Sequence, residues 1–142
     1  MLTIPKEIQE QIQAHGVAAY PYEGCGLLLG TAVPDQNTVV AIRPAQNGWP
    51  VEEEKRVRFR IAEREWAQAE LEAMHRGLDI VGVFHSHPDS PPVASPRDLA
   101  WAAFAGYSYL ITEIKNGVAG NGRSWQLLPD RSGFIEEKVE IR

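Results

Sequence analysis

Apolar residues follow two rhythms along this chain. In some stretches they recur every three or four positions, and in others they crowd into short runs. Ile4, Ile8 and Ile12 lie on one helical face, and Pro5 suits a first helical turn, so residues 5–19 are predicted to be a helix ended by Pro21. Ala62, Trp66, Ala69 and Ala73 repeat at the same spacing, which predicts a second helix over about 62–76 with Gly77 as its stop. The compact runs read as strands. GCGLLLG, residues 24–30, is apolar and bounded by glycines, as a buried strand is. Residues 37–45 form a second strand, paired with the first across a Pro34–Asp35 turn. The polar segment 46–56 is a loop, and a short strand at 57–61 leads into the second helix.

Residues 78–86, LDIVGVFHS, are apolar on both parities, which fits a central strand covered on both faces. A proline-rich loop follows. SPRDLAWAAFAG then opens a third helix, with Ser95 as N-cap, Pro96 in the first position and Asp98 three residues after the cap. Residues 107–114 form another apolar strand, Asn116-Gly117 marks a turn, and two more strands run over about 123–129 and 133–141. The element order predicts an α/β to α+β fold, a curved mixed β-sheet flanked by helices.

Composition narrows the function classes. The 142 residues suit one domain, 1–142, with one core. A net charge of −5 without a long basic run argues against a general nucleic-acid binder. No apolar stretch is long enough to span a bilayer. The first residues lack the basic and apolar regions of a signal peptide, and the lone Cys25 cannot form an internal disulfide. These features point to the cytoplasm.

The chemistry lies in HSHPDSPPVASPRD, residues 85–98. Strand side chains alternate, so His85 and His87 share a face at the strand end. The loop returns the chain so that the carboxylate of Asp98 offers a third ligand. Two nitrogens and one oxygen suit Zn²⁺ and leave a fourth position for water. Ser95 and Asp98 have a rival reading as a helix cap and its reciprocal partner, and the two readings compete for one carboxylate. Glu23, which begins the GCGLLLG strand in this reading, is the best candidate for the base that amide hydrolysis needs, although spacing does not place it near the metal.

His85-x-His87, seven residues, then Ser95-x-x-Asp98 resembles the JAMM (MPN+) metalloprotease motif, and Glu23 in YEGCGLLLG resembles that family's upstream glutamate. The resemblance extends through Phe59-Arg60-Ile61 and VGVFHSHP over nearly the whole chain, and the compact size is similar to the small prokaryotic branch. It implies a deaminase-like sheet flanked by helices. It also implies one zinc held by His85, His87 and Asp98, Glu23 as general acid/base, and Ser95 as hydrogen-bond donor to the oxyanion. Ser86 and Pro88 would shape the strand end. The implied substrate is a ubiquitin-like or sulfur-carrier protein, cleaved after its C-terminal Gly-Gly.

Two other readings are set beside this one. A non-catalytic MPN-type interaction module keeps the fold without the ligands. A nucleobase deaminase needs H-x-E and P-C-x-x-C, which one cysteine cannot supply. Cys25 shares parity with Glu23 and reads as a buried structural thiol or, less simply, as a group beside the metal. Trp66, Trp101 and Phe104 read as core, and His15 and His75 as surface or boundary residues. Trp49 sits in a polar loop and either meets a partner or covers the core edge. Glu52, Glu53 and Glu54 read as a solvated acidic run. The N-terminal helix or an apolar loop offers a surface for a homodimer.

Overall fold

The structure is a computed structural model, and it describes residues 1–102 and 104–142. Eight strands form one mixed sheet: β1 (Leu2–Ile4), β2 (Cys25–Val33), β3 (Gln36–Ala45), β4 (Asp79–Pro88), β5 (Ser108–Lys115), β6 (Val118–Leu127), β7 (Phe134–Glu137) and β8 (Val139–Ile141). Their spatial order is β7-β6-β5-β4-β2-β3-β1-β8. The last two strands are adjacent in the chain yet stand at opposite ends of that order, so the sheet curls until it nearly closes. The main-chain bond from Leu2 N–H to the Lys138 carbonyl (2.8 Å) lies at that closure.

Three helices flank the sheet: α1 (Lys6–Ala19), α2 (Glu63–His75) and α3 (Pro96–Trp101). The core is split by the sheet. Ile12 of α1 packs with Leu28, Val39, Phe84 and Leu110, while Ala69 and Ala73 of α2 pack with Leu27, Leu29, Val83 and Tyr109. β4 is central and contributes to both halves, which is why its sequence is apolar on both parities. Gly26 matters here because a Cβ there would collide with the Phe84 ring, so glycine lets β2 and β4 close around that side chain. α2 stops where expected. Gly77 takes φ +68°, and the Leu78 N–H reaches back to the Ala73 carbonyl (2.8 Å) in a Schellman turn. The Asp35 and Asn116-Gly117 turns also take positive φ, as tight hairpins require.

Five expectations change. The 133–141 strand is two, β7 and β8, which stand at opposite ends of the sheet order. Residues 57–61 are no strand; Val57 ends the preceding turn, the rest pair with no ladder, and burial of Phe59 and Ile61 alone explains the alternating pattern. The 46–56 loop contains one turn of 3-10 helix, Glu52–Arg56. The third helix ends at Trp101 instead of running on to Gly106; Ala102 is already extended, Ala103 lies outside the described residues, and the Tyr109 hydroxyl clamps the backbone of Phe104. β1 was absent from the sequence reading. Its three residues are buried between β3 and β8, and a strand that short carries no periodicity to detect.

Candidate metal centre

β4 pairs with β2 antiparallel on one side and with β5 parallel on the other, and its C-terminal end carries His85 and His87. Both rings point toward the α2 side, where Phe59 stacks on His85 with centroids 4.6 Å apart and Trp101 meets it edge-on. After β4 the chain turns through Pro91 and returns at Ser95 to begin α3. Asp98, in the first turn, faces both imidazoles. His85 Nε2 lies 3.1 Å from Asp98 Oδ1, His87 Nε2 lies 3.2 Å from Asp98 Oδ2, and the two Nε2 atoms are 3.2 Å apart. All three side chains are buried, and their ligand atoms lie within 4.8 Å of one another.

This cluster fits a cation on the chemistry of its donors. His87 Nδ1 donates to the Pro91 carbonyl (2.7 Å), so in the neutral ring the proton is on Nδ1 and Nε2 presents a bare lone pair. That lone pair faces a carboxylate oxygen and a second imidazole nitrogen. With both rings neutral, as metal ligands are, at most one hydrogen, on His85 Nε2, is available to bridge them. A divalent ion at the point of convergence satisfies every donor at once.

The anticipated competition between capping and ligation does not arise. Ser95 N–H donates to Asp98 Oδ2 (2.8 Å) and Asp98 N–H donates to Ser95 Oγ (3.2 Å), a complete capping box. Asp98 Oδ1 takes no part in that box and faces His85. A carboxylate has enough lone pairs to serve both, and the cap fixes the ligand's direction. Ser95 Oγ accepts one bond from the cap and keeps its own hydrogen for another acceptor.

The electrostatics follow from burial and proximity. Burial alone would raise Asp98, but the two imidazoles and the Ser95 N–H outweigh it and hold the carboxyl far below the ordinary range. Burial pushes His85 below its usual value against the pull of Asp98. His87 is also pushed down by burial, yet the Asp98 carboxylate and the Pro91 carbonyl bring it above its usual value.

Glu23 lies in the turn before β2, not in the strand. It is 4% exposed, and its Oε1 has no hydrogen-bond partner among the described residues. Burial, then the charge of Asp98, pushes its carboxyl up to about 9. It shares a cleft of about 230 Å³ with Asp98, Trp49, Phe59, Arg97 and Trp101. The structure thus brings Glu23 to the cleft of the His-His-Asp cluster, which spacing could not establish. Ser86 points to the opposite face of β4 and its Oγ accepts from Gly24 N–H (2.8 Å), which pins the residue after Glu23 to β4.

Trp49 lies between the Arg58 and Arg60 guanidiniums, each 5.1 Å from the ring, and lines the cleft. Trp66 and Trp101 touch the core but also line an adjoining apolar pocket of about 540 Å³, and Phe104, predicted to be core, is 47% exposed at its rim. Cys25 is a buried thiol, pushed up to about 12 by burial and facing the Ala45 and Gln46 carbonyls. His15 is a half-buried boundary residue bonded to the Cys25 carbonyl (3.0 Å), and His75 is exposed at the end of α2. The sequence reading missed the Pro91 carbonyl, the Phe59 ring and Asn47. The first two carry no signal of their own in the sequence, since one is main chain and the other is an ordinary apolar residue.

A family described as prokaryotic homologs of the JAB domain matches residues 5–128. The chain belongs to this JAB/MPN family. Within it, the chain is similar to a desampylase from Haloferax volcanii, 38% identical over 115 residues that cover 78% of each protein. It is also similar to a desampylase from Pyrococcus furiosus, 30% identical over 127 residues, 88% of this chain and 80% of that one. Among solved structures, a protein from Desulfitobacterium hafniense superposes with a TM-score of 0.86 at 29% identity, covering 100% of this chain and 93% of the other. The family explains the JAMM resemblance of the 85–98 segment and agrees with the mixed sheet flanked by helices. No helix among the described residues is long and apolar enough to cross a membrane.

Proposed function

We propose that this JAB/MPN protein is a zinc metallopeptidase that hydrolyses the amide bond after the C-terminal glycine of a ubiquitin-like or sulfur-carrier protein. The carrying observation is the buried convergence of His85 Nε2, His87 Nε2 and Asp98 within one cleft with an unpartnered Glu23. The substrate class is supported by relatives named as desampylases.

His85, His87 and Asp98 would hold the zinc, which supplies Lewis acidity and makes water a stronger acid at neutral pH. Glu23, ionised once the metal's positive charge sits in its cleft, would take a proton from the attacking water and return it to the leaving amine; its buried carboxyl in the same cleft as Asp98 supports that role. Ser95 Oγ, which accepts only the cap bond, would donate its hydrogen to the oxyanion of the tetrahedral intermediate. Phe59 and Trp101 exclude water from one side of the His85 ring. The apolar pocket beside the cleft, lined by Trp49, Ile61, Trp66, Trp101 and Phe104, gives the substrate chain a surface to lie against.

The test is mass spectrometry of Gly-Gly-ending carrier proteins bearing a C-terminal extension, incubated with the purified protein with and without chelator. Release of the extension, blocked by chelator and restored by zinc, is the expected result. A protein that binds such carriers yet neither retains zinc nor cleaves them would instead be the non-catalytic interaction module.

A further inference from the structure

Glu23 is held in an unusual way. Gly24, the next residue, joins β4 through two bonds, its N–H to Ser86 Oγ (2.8 Å) and its carbonyl from Ser86 N–H (3.0 Å). Glu23 itself makes no ladder bond. Its N–H donates to the Lys55 carbonyl (2.8 Å), and its carbonyl accepts from Asn47 Nδ2 (3.0 Å). Both main-chain groups of Glu23 are therefore tied to the 46–60 loop. This matters because the Glu23 side chain has an oxygen with no partner, so nothing polar at its tip fixes where it points.

Asn47 is the joint of that attachment. Its Nδ2 also donates to the Arg58 carbonyl (2.9 Å), and its Oδ1 accepts from Trp49 N–H (3.0 Å) and Arg60 N–H (3.3 Å). Arg58 and Arg60 flank Phe59, whose ring lies on His85. One half-buried amide thus links three things: the main chain of Glu23, the tryptophan wall of the cleft, and the ring packed on a metal-facing imidazole. An amide is required. Two acceptors face its nitrogen and two donors face its oxygen, so an aspartate would keep the Trp49 and Arg60 bonds and turn both others into contacts between oxygens.

We propose that Asn47 is a positioning residue for the reaction, setting Glu23 relative to the His-His-Asp cluster by tying it to the loop that covers His85. The role rests on the peptidase reading, but part of its test does not. In kinetics on a Gly-Gly-ending carrier, Asn47→Asp lowers kcat at least about tenfold while KM stays within about twofold, and zinc content is unchanged. Trp49→Ala keeps the tie to Glu23 and removes cleft wall, so it raises KM with kcat held within about twofold. The same split in both variants, or a kcat for Asn47→Asp within about twofold of wild type, overturns the proposal.

Amide hydrogen exchange separates this from the activity itself. Asn47→Ala speeds exchange of the Glu23 N–H at least about tenfold and leaves Val83 and Phe84 of β4 unchanged. If wild type cleaves no carrier, the peptidase reading fails, and this exchange result still decides whether Asn47 holds Glu23. Equal exchange at Glu23 in variant and wild type, or equal acceleration at Glu23 and in β4, overturns the positioning role.

Discussion

The two halves of the site are built by different means. His85, His87 and Asp98 come from one stretch of fourteen residues, and local rules set them in place: strand alternation, a short loop and a capping box. Glu23 lies more than sixty residues earlier and is held by contacts that are all distant in sequence, to Asn47, Lys55 and, through Gly24, Ser86. The His-His-Asp half is polar, with its side chains facing one another, and the carboxyl half is buried with an unpartnered oxygen. The difference teaches that the His-His-Asp cluster can be specified locally, because strand parity and a helix cap set its side chains. Glu23 has no polar partner at its tip, and its placement is left to main-chain bonds.

Perturbing each half in turn tests this division. The largest effect is expected from the ligand half: Asp98→Ala should abolish zinc retention, measured by elemental analysis, and bring carrier cleavage to background. An Asp98→Ala protein that holds a full equivalent of zinc would remove Asp98 from the cluster. Glu23→Gln should separate the halves. It keeps the zinc and loses roughly 10²–10⁴-fold in kcat, the usual range for a lost general acid/base. Cleavage at the wild-type rate would show that Glu23 is not the proton carrier.

Ser95 caps α3 and, in the proposed reaction, would also donate to the oxyanion, so Ser95→Ala should cost on two scales. Loss of the cap lowers stability by about 1 kcal/mol in denaturant unfolding. Loss of an oxyanion donor lowers kcat by roughly 10²–10³. A stability loss without a rate loss would confine Ser95 to the cap.

The last effect is a pH dependence in the metal-free protein. Folded, the Glu23 carboxyl holds its proton up to about 9; unfolded, it titrates near 4.5. Between these values the folded chain binds more protons than the unfolded one. Glu23's effect is therefore a stability that is full below about pH 4.5, declines as pH rises, and is lost above about 9. Subtracting a Glu23→Gln pH series from the wild-type series isolates this slope from the His85, His87 and Asp98 titrations. A flat difference would mean that Glu23 is not buried as described.

Much of the site was legible because its logic is local. The parity of His85 and His87 needs only a strand, and Ser95-Pro96-x-Asp98 announces a helix start whether or not a metal is present. The capping rivalry looked real on paper because a sequence counts residues and not oxygens; the structure assigns Oδ1 and Oδ2 to different partners. Residues 57–61 misled for a related reason. Alternation reports burial of one face, and burial comes equally from a ladder or from a covering loop.

By itself the sequence determined which residues are candidates for the chemistry and on which local elements His85, His87, Ser95 and Asp98 stand, because side-chain periodicity and capping act within a few residues. Only the tertiary structure decided that Glu23 reaches the cleft, that Asn47 ties it there, and that β1 and β8 extend a sheet that nearly closes. Those placements depend on hydrogen bonds and buried contacts between segments tens of residues apart, and no pattern along the chain encodes which distant partner wins.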